Sequence, residues 1–237
     1  MNPSDIKALT FDVFGTVVDW RTSVTEEGEA LGKKLGLEAD WAAFADAWRG
    51  LYQPSMEQVR SGEREWTILD RLHRESLDTL IERFGLEGMS EDEIEHFNRA
   101  WHRLHPWPDV VEGLHQLKRK YILATLSNGN VALMVNLAKF AGLPWDAILG
   151  AEPTHHYKPL PGAYLGTARF LGLEPGQCMM VAAHNDDLRQ AQSLGFKTAF
   201  VARPTEYGPH QSMDFEADGP WDVVTDSFVD LARRMNC

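Results

Sequence analysis

Between Tyr121 and Ala202 the chain alternates short, unbroken apolar runs with helical segments, and few folds accept that alternation. The runs Tyr121 to Ser127, Ala147 to Ala151, Met179 to Ala183 and Thr198 to Ala202 are each of strand length and blocky in pattern. Strands buried on both faces carry that signature, because helices cover the two sides of a parallel sheet. Helical segments fall between them, at Asn130 to Phe140, Gly162 to Leu171 and Asp187 to Leu194. Ala8 to Phe11 is an earlier strand. Strand then helix, repeated, predicts an α/β fold: a Rossmann-like doubly wound parallel sheet.

Residues 21–105 follow a different pattern. Their apolar positions recur at helical spacing, as in Trp41, Phe44, Ala45 and Trp48, and later Trp66, Leu69 and Leu72. Breaks at Gly36-Leu37-Glu38, Ser61-Gly62, Gly85 to Ser90 and His105-Pro106 divide the region into about four helices. A connection of this length forms a unit of its own. The expectation is an α/β core domain of residues 1–20 and 106–237, with a four-helix cap domain of residues 21–105 inserted after the first strand. The segment from Pro204 to Pro220, rich in Gly, Pro and polar residues, reads as a long surface loop.

Charge and cysteine usage narrow the partners. A formal net charge of -12 argues against nucleic acid, whose phosphates need clustered Lys and Arg. A small anionic substrate is still allowed, since it feels the local field of a pocket. The two cysteines, Cys178 and Cys237, form no CxxC pair, which speaks against a disulfide framework or a zinc site and suits a reducing cytoplasm. The N-terminal stretch MNPSDIK has no basic and then apolar leader pattern, and no run of about 18 apolar residues occurs. A soluble cytoplasmic protein without a membrane partner is expected.

Asp12 stands where the hydrophobic pattern calls for another apolar side chain, at the end of the first strand. In open α/β sheets, ligands bind beyond the carboxyl ends of the strands. Those ends supply Asp12 with Thr16, then Ser127 and Asn128, then Lys158, then His184 to Asp187. Each has a bland reading: Asp12 as a turn cap, Ser127, Asn128 and Asp187 as helix caps, Lys158 as a solvated loop residue. Four coincidences at four successive strand ends are less economical than one site.

The motifs DVFGT (Asp12 to Thr16), LSNGN (Leu126 to Asn130), Lys158-Pro159 with Tyr164 beyond it, and HNDDL (His184 to Leu188) together resemble the haloacid dehalogenase superfamily. More narrowly, they resemble its type II branch, the L-2-haloacid dehalogenases, over nearly the whole chain. Phe14 carries the narrower resemblance. Phosphatases of the superfamily place a second Asp there, to protonate a leaving alkoxide. An alkoxide leaves poorly without a general acid, worth about 10²- to 10⁴-fold, whereas a halide needs no proton.

The resemblance implies roles for individual residues. Asp12 would attack the carbon bearing the halogen, giving an ester with inversion, and water would hydrolyse that ester to a 2-hydroxy acid. Lys158 would hold Asp12 ionised, Thr16 would donate to it, and Asp187, supported by Tyr164, would position the water. Ser127 would bind the substrate carboxylate, with Val13 and Phe14 beside it. Asn128, a cap arginine and an aromatic would receive the halide. Arg49 best matches that arginine, with Arg60 and Arg64 as alternatives. Trp66 is the candidate aromatic wall, though its spacing with Leu69 and Leu72 equally suits a cap core. His184 departs from the family pattern, in which Ala182-Ala183-His184 often reads Ser-Ser-Asn. Beside Asp187 and Lys158 it could donate a hydrogen bond, accept the water's proton, or simply fill space.

The implied reaction uses no cofactor and no metal. Two other readings stay open: a Mg²⁺-dependent phosphatase using Asp12, Asp186 and Asp187, and a non-catalytic binding protein on the same fold. A homodimer through the tryptophan-rich cap is a further expectation.

Overall fold

The computed structural model describes residues 5–209 and 211–237. The first four residues of MNPSDIK, and His210 in the Pro204 to Pro220 loop, lie outside the described residues. Five parallel strands form the central sheet: β1 (Ala8–Phe11), β4 (Ile122–Thr125), β5 (Cys178–Ala182), β6 (Lys197–Val201) and β7 (Val223–Thr225), in the order β4-β1-β5-β6-β7. A two-residue antiparallel ribbon, β2 (Val18–Asp19) against β3 (His105–Pro106), stands apart from it. The core helices are α5 (Val110–Leu117), α6 (Val131–Ala141), the short α7 (Ala151–Thr154), α8 (Pro161–Phe170), α9 (Asn185–Ser193) and α10 (Phe228–Arg234).

Strand order fixes where a site can form. From β1 the chain next enters the sheet on one side, at β4, and later on the other, at β5. Phe11 is in register with Thr125 on one neighbour and Val181 on the other, so the residues that follow all three strands emerge at one level. This is the crevice at a reversal of strand order in which α/β proteins bind ligands.

Two strand expectations need correction. Ala147 to Ala151 is no strand: only single bridges link Ala147 to Ala124 and Gly150 to Ser127, and a helix begins at Ala151. The reason is Gly150, whose φ of 124° ends extended pairing and lets its backbone pack on that of Ser127. β7 went unread because its three residues are too short to make an apolar block.

Between β2 and β3 the chain is helical. α1 (Trp20–Leu35), α2 (Trp41–Arg60), α3 (Leu69–Phe84) and α4 (Glu91–Asn98), extended by a 3-10 turn (Arg99–His102), are the four helices. Local chemistry sets their ends: Asp19 and Asp40 cap the first two by accepting from Thr22 and Ala43, Gly36 and Gly85 terminate α1 and α3 in the left-handed region, and Ser90 with Glu93 forms a capping box on α4. Trp41, Trp48 and Trp101 are buried among Phe44 and Phe97. These three tryptophans are thus consumed in internal packing, while Trp66 is half-buried.

The Gly150 backbone contact generates a prediction. A Cβ at Gly150 would lie 2.2 Å from the Ser127 carbonyl oxygen, at a φ that L-residues resist. Gly150→Ala should destabilise the protein by about 2 kcal/mol or more in urea titration, because neither backbone can yield easily.

Candidate active site

The residues at the strand ends converge on Asp12. Its backbone N–H donates to Val181, which continues the β1–β5 ladder by one residue and points the side chain out of the sheet end. Thr16 Oγ1 donates to Asp12 Oδ2 at 2.6 Å and accepts the Ala183 N–H at 2.9 Å, so the turn after β1 is tied to the end of β5. Lys158 Nζ donates to Asp12 Oδ1 at 2.9 Å and also to Asp187 Oδ2. Tyr164 Oη donates to Asp187 Oδ1 at 2.6 Å. His184 Nδ1 lies 3.0 Å from Asp12 Oδ2.

These groups are almost sealed from water: Asp12 is 6% exposed and Lys158 8%. Burial alone would raise the Asp12 carboxyl, but Lys158, His184 and Thr16 outweigh it and hold the group well below the usual carboxylate range. Burial likewise works against the Lys158 ammonium, and Asp12 and Asp187 together hold it above its ordinary value. Asp187 goes the other way: burial, reinforced by the charge of Asp12, raises it against the pull of Lys158. Asp12 is therefore held as an ionised carboxylate at the mouth of the crevice.

The site opens on a cleft of about 700 Å³ between the sheet end and α2. One face of α2 lines it, with Arg49, Tyr52, Gln53, Glu57 and Arg60 recurring at helical spacing. Arg49 lies 4.2 Å from the centre of the Tyr52 ring and 5.4 Å from that of Trp20. Its Nη1 is buried with no hydrogen-bond partner among the described residues. A buried cation with an unused donor is a receptor for an anion. Burial opposes its charge, yet Tyr207, Tyr52, Glu206 and Asp12 keep its pKa above the ordinary value. Asn128 also lines the cleft; its Oδ1 accepts the Lys158 N–H at 2.8 Å, which leaves its amide NH₂ for a ligand.

Other expected site residues fall elsewhere. Trp66 is not on the cleft; it stacks on His155, with centroids 5.1 Å apart, and packs against Tyr157, because it precedes α3 instead of lying on that helix. Arg64 is held by both oxygens of Glu75. Arg60 does reach the cleft, but its guanidinium is taken by Glu57, Gln53 and the Lys158 carbonyl. Ser127 is fully buried behind Asn128 and accepts the Gly129 N–H at 3.1 Å. Val13 is buried, its carbonyl accepting from Val17 and Val18, while Phe14 lines the cleft with its ring edge-on to Trp101 and Tyr52.

The loop from Pro204 to Pro220 lies mostly at the surface, as expected, but dips into the site. It carries Glu206, which is 1% exposed and accepts from Trp20 Nε1 at 3.0 Å, and Tyr207, which lines the cleft. His184 Nε2 lies 2.9 Å from Glu206 Oε2. The expected neighbours of His184, Asp187 and Lys158, are thus replaced by Asp12 and Glu206. No sequence signal pointed to Glu206, which packs so closely on Gly15 that a Cβ there would sit 2.0 Å from Glu206 Oε1.

The donor set fits a divalent cation poorly. Lys158 Nζ bridges Asp12 and Asp187, and Asp186 is an exposed side chain paired with Arg189. Among the described residues no cluster of three or more His, Cys, Asp or Glu is arranged to hold a metal.

A family model for haloacid dehalogenase-like hydrolases matches residues 6–195. This chain belongs to that family. Within it, the hydrolase is similar to L-2-haloacid dehalogenases: one solved structure under that name is 49% identical with a TM-score of 0.95, covering 98% of this chain and 99% of its own. Another, described as a defluorinating L-2-haloacid dehalogenase, is 46% identical with a TM-score of 0.95, covering 98% and 96%. The (S)-2-haloacid dehalogenase of Xanthobacter autotrophicus is 29% identical over 211 residues, 84% of this chain and 76% of that protein.

The free Nη1 of Arg49 predicts an anion site that needs no substrate. Bromide should bind the wild type in isothermal titration calorimetry, and Arg49→Lys should weaken binding about ten-fold, the worth of one charged hydrogen bond lost with the planar fork.

Proposed function

We propose that the protein hydrolyses short (S)-2-haloacids to 2-hydroxy acids, with Asp12 as nucleophile and inversion at the carbon that bore the halogen. The observation that carries the reading is the pairing of an ionised Asp12 with Phe14. The site has a carboxylate poised to attack and, two residues on, an apolar ring where an alkoxide leaving group would need an acid. A halide leaves unprotonated, and Arg49 with Asn128 supplies donors for it.

The first step forms a bond from an Asp12 oxygen to the substrate carbon as the carbon–halogen bond breaks, the electron pair departing with the halide. Asn128 receives the substrate carboxylate or halide with its free amide, and Ser127 shapes that loop from behind. In the second step water adds to the Asp12 ester carbon. Asp187, whose raised pKa makes it the readier proton acceptor, takes the proton of that water, while Tyr164 and Lys158 orient it. The cap is assigned to residues 21–105 and the core to 1–20 and 106–237, with the substrate held between them. No helix among the described residues is long and apolar enough to cross a membrane, and the two free cysteines suit a cytoplasmic setting.

The test combines halide release with isotope labelling. Wild-type protein should release halide from (S)-2-chloropropionate and spare the (R) enantiomer, and Asp12→Asn should lose the activity while staying folded. A single turnover in H₂¹⁸O should place the label in Asp12. Label appearing quantitatively in the first product would mean direct attack by water and would remove the ester mechanism.

A further inference from the structure

Three contacts set His184 apart from a space-filling side chain. Nδ1 lies 3.0 Å from Asp12 Oδ2, and Nε2 lies 3.1 and 2.9 Å from the two oxygens of Glu206. Glu206 is itself fixed, by Trp20 Nε1 and by the close backbone of Gly15. Both imidazole nitrogens therefore face carboxyl oxygens, an arrangement the doubly protonated ring satisfies with both acids ionised. The two Asp12 oxygens are also distinguished. Oδ2 takes Thr16 at 2.6 Å and His184, whereas among the described residues Oδ1 accepts from Lys158 alone.

We infer that His184 and Thr16 form an oxyanion hole for hydrolysis of the Asp12 ester, with Glu206 as the positioning residue that keeps His184 an imidazolium. The inference rests on the haloacid reading above. Oδ1, the oxygen with the fewer donors, makes the bond to carbon, and Oδ2 becomes the ester carbonyl oxygen. When water adds to Cγ, the carbonyl electron pair moves to Oδ2, where two donors already stand at hydrogen-bond distance. The pair then returns, the Cγ–Oδ1 bond breaks, and Oδ1 leaves as the product hydroxyl with the proton that Asp187 took from the water. The second water proton passes to solvent as the Asp12 carboxylate reforms. His184 donates throughout and never accepts a proton. A neutral Asn at this place would donate a hydrogen bond without the charge.

The surroundings agree. Burial disfavours a charged His184, but Glu206 and Asp12 reverse that and hold its pKa well above the ordinary imidazole value. The charged and titratable groups around it are Asp12 at the end of β1, Glu206 and Tyr207 on the loop after β6, Arg49 on α2, Lys158, and Asp187 on its own helix. Since the proton is required, hydrolysis should hold steady through neutral pH and fall as pH rises through the raised His184 value.

The experiment follows the Asp12 ester by rapid quench and mass spectrometry alongside halide release. His184→Ala should release its first equivalent of halide within ten-fold of the wild-type rate, then stall, with ester hydrolysis slowed about 100-fold and adduct accumulating. His184→Gln, which restores a donor without charge, should recover part of that loss. Glu206→Gln should move the alkaline limb of hydrolysis to lower pH and leave the halide burst in place. A limb on the acid side that moves down in Glu206→Gln, with no recovery in His184→Gln, would make His184 a general base and overturn the inference. Unchanged hydrolysis and an unchanged pH profile in folded variants would reduce the pair to packing and overturn it equally. Absence of halide release by the wild type would instead remove the haloacid reading, and this inference with it.

Discussion

The Lys158 ammonium, shared between Asp12 and Asp187, is the interaction on which the site rests. Two carboxylates this close in a nearly dry environment repel each other, and without a cation one would take up a proton. Lys158 resolves the conflict unequally. Asp12 stays a strong carboxylate, and Asp187, which also carries the Tyr164 hydroxyl, is left the more easily protonated of the two. One positive charge thus gives two chemically equivalent side chains different characters.

Charge balance extends the point. Around Asp12, the carboxyl groups of Asp187 and Glu206 are interleaved with the basic side chains of Lys158, His184 and Arg49. A monoanionic substrate enters with one negative charge. In the proposed reaction, forming the ester would remove the charge of Asp12 while creating a halide, so that total would be conserved within the cleft until the halide departs. A low-dielectric site tolerates such a sequence better than one in which net charge builds up.

Much of this was readable from residues alone, and the reason is geometric. A parallel sheet delivers whatever follows each strand to one edge, so Asp12, Asn128 and Asp187 could be grouped without coordinates. Lys158 was grouped with them as following a strand that the structure shows only as single bridges, and Tyr164 joined through the motif spacing that resembles the family. Glu206 and Tyr207 could not be grouped that way. They sit in an irregular segment with no periodicity, and a Gly- and Pro-rich composition looks the same whether a loop lies on the surface or folds into a cleft. His184 was legible as a departure from pattern but not as an ion-pair partner, since its partner was the unreadable residue. Trp66 failed for another reason: a helical spacing that includes Leu69 and Leu72 does not say where the helix begins, and α3 begins at Leu69.

The β2–β3 ribbon joins Val18 to Pro106 and Asp19 to His105, so the chain leaves for α1 and comes back after the 3-10 turn at nearly the same point in space. The sheet therefore sees the whole excursion as a short closed loop, and most of the entropy of joining its ends is settled at that neck, whatever the excursion contains. Length and composition beyond the ribbon can change at little cost to the fold of the sheet, while every such change alters the wall opposite Asp12. One wall of the cleft is thus built by a segment whose length the sheet hardly feels.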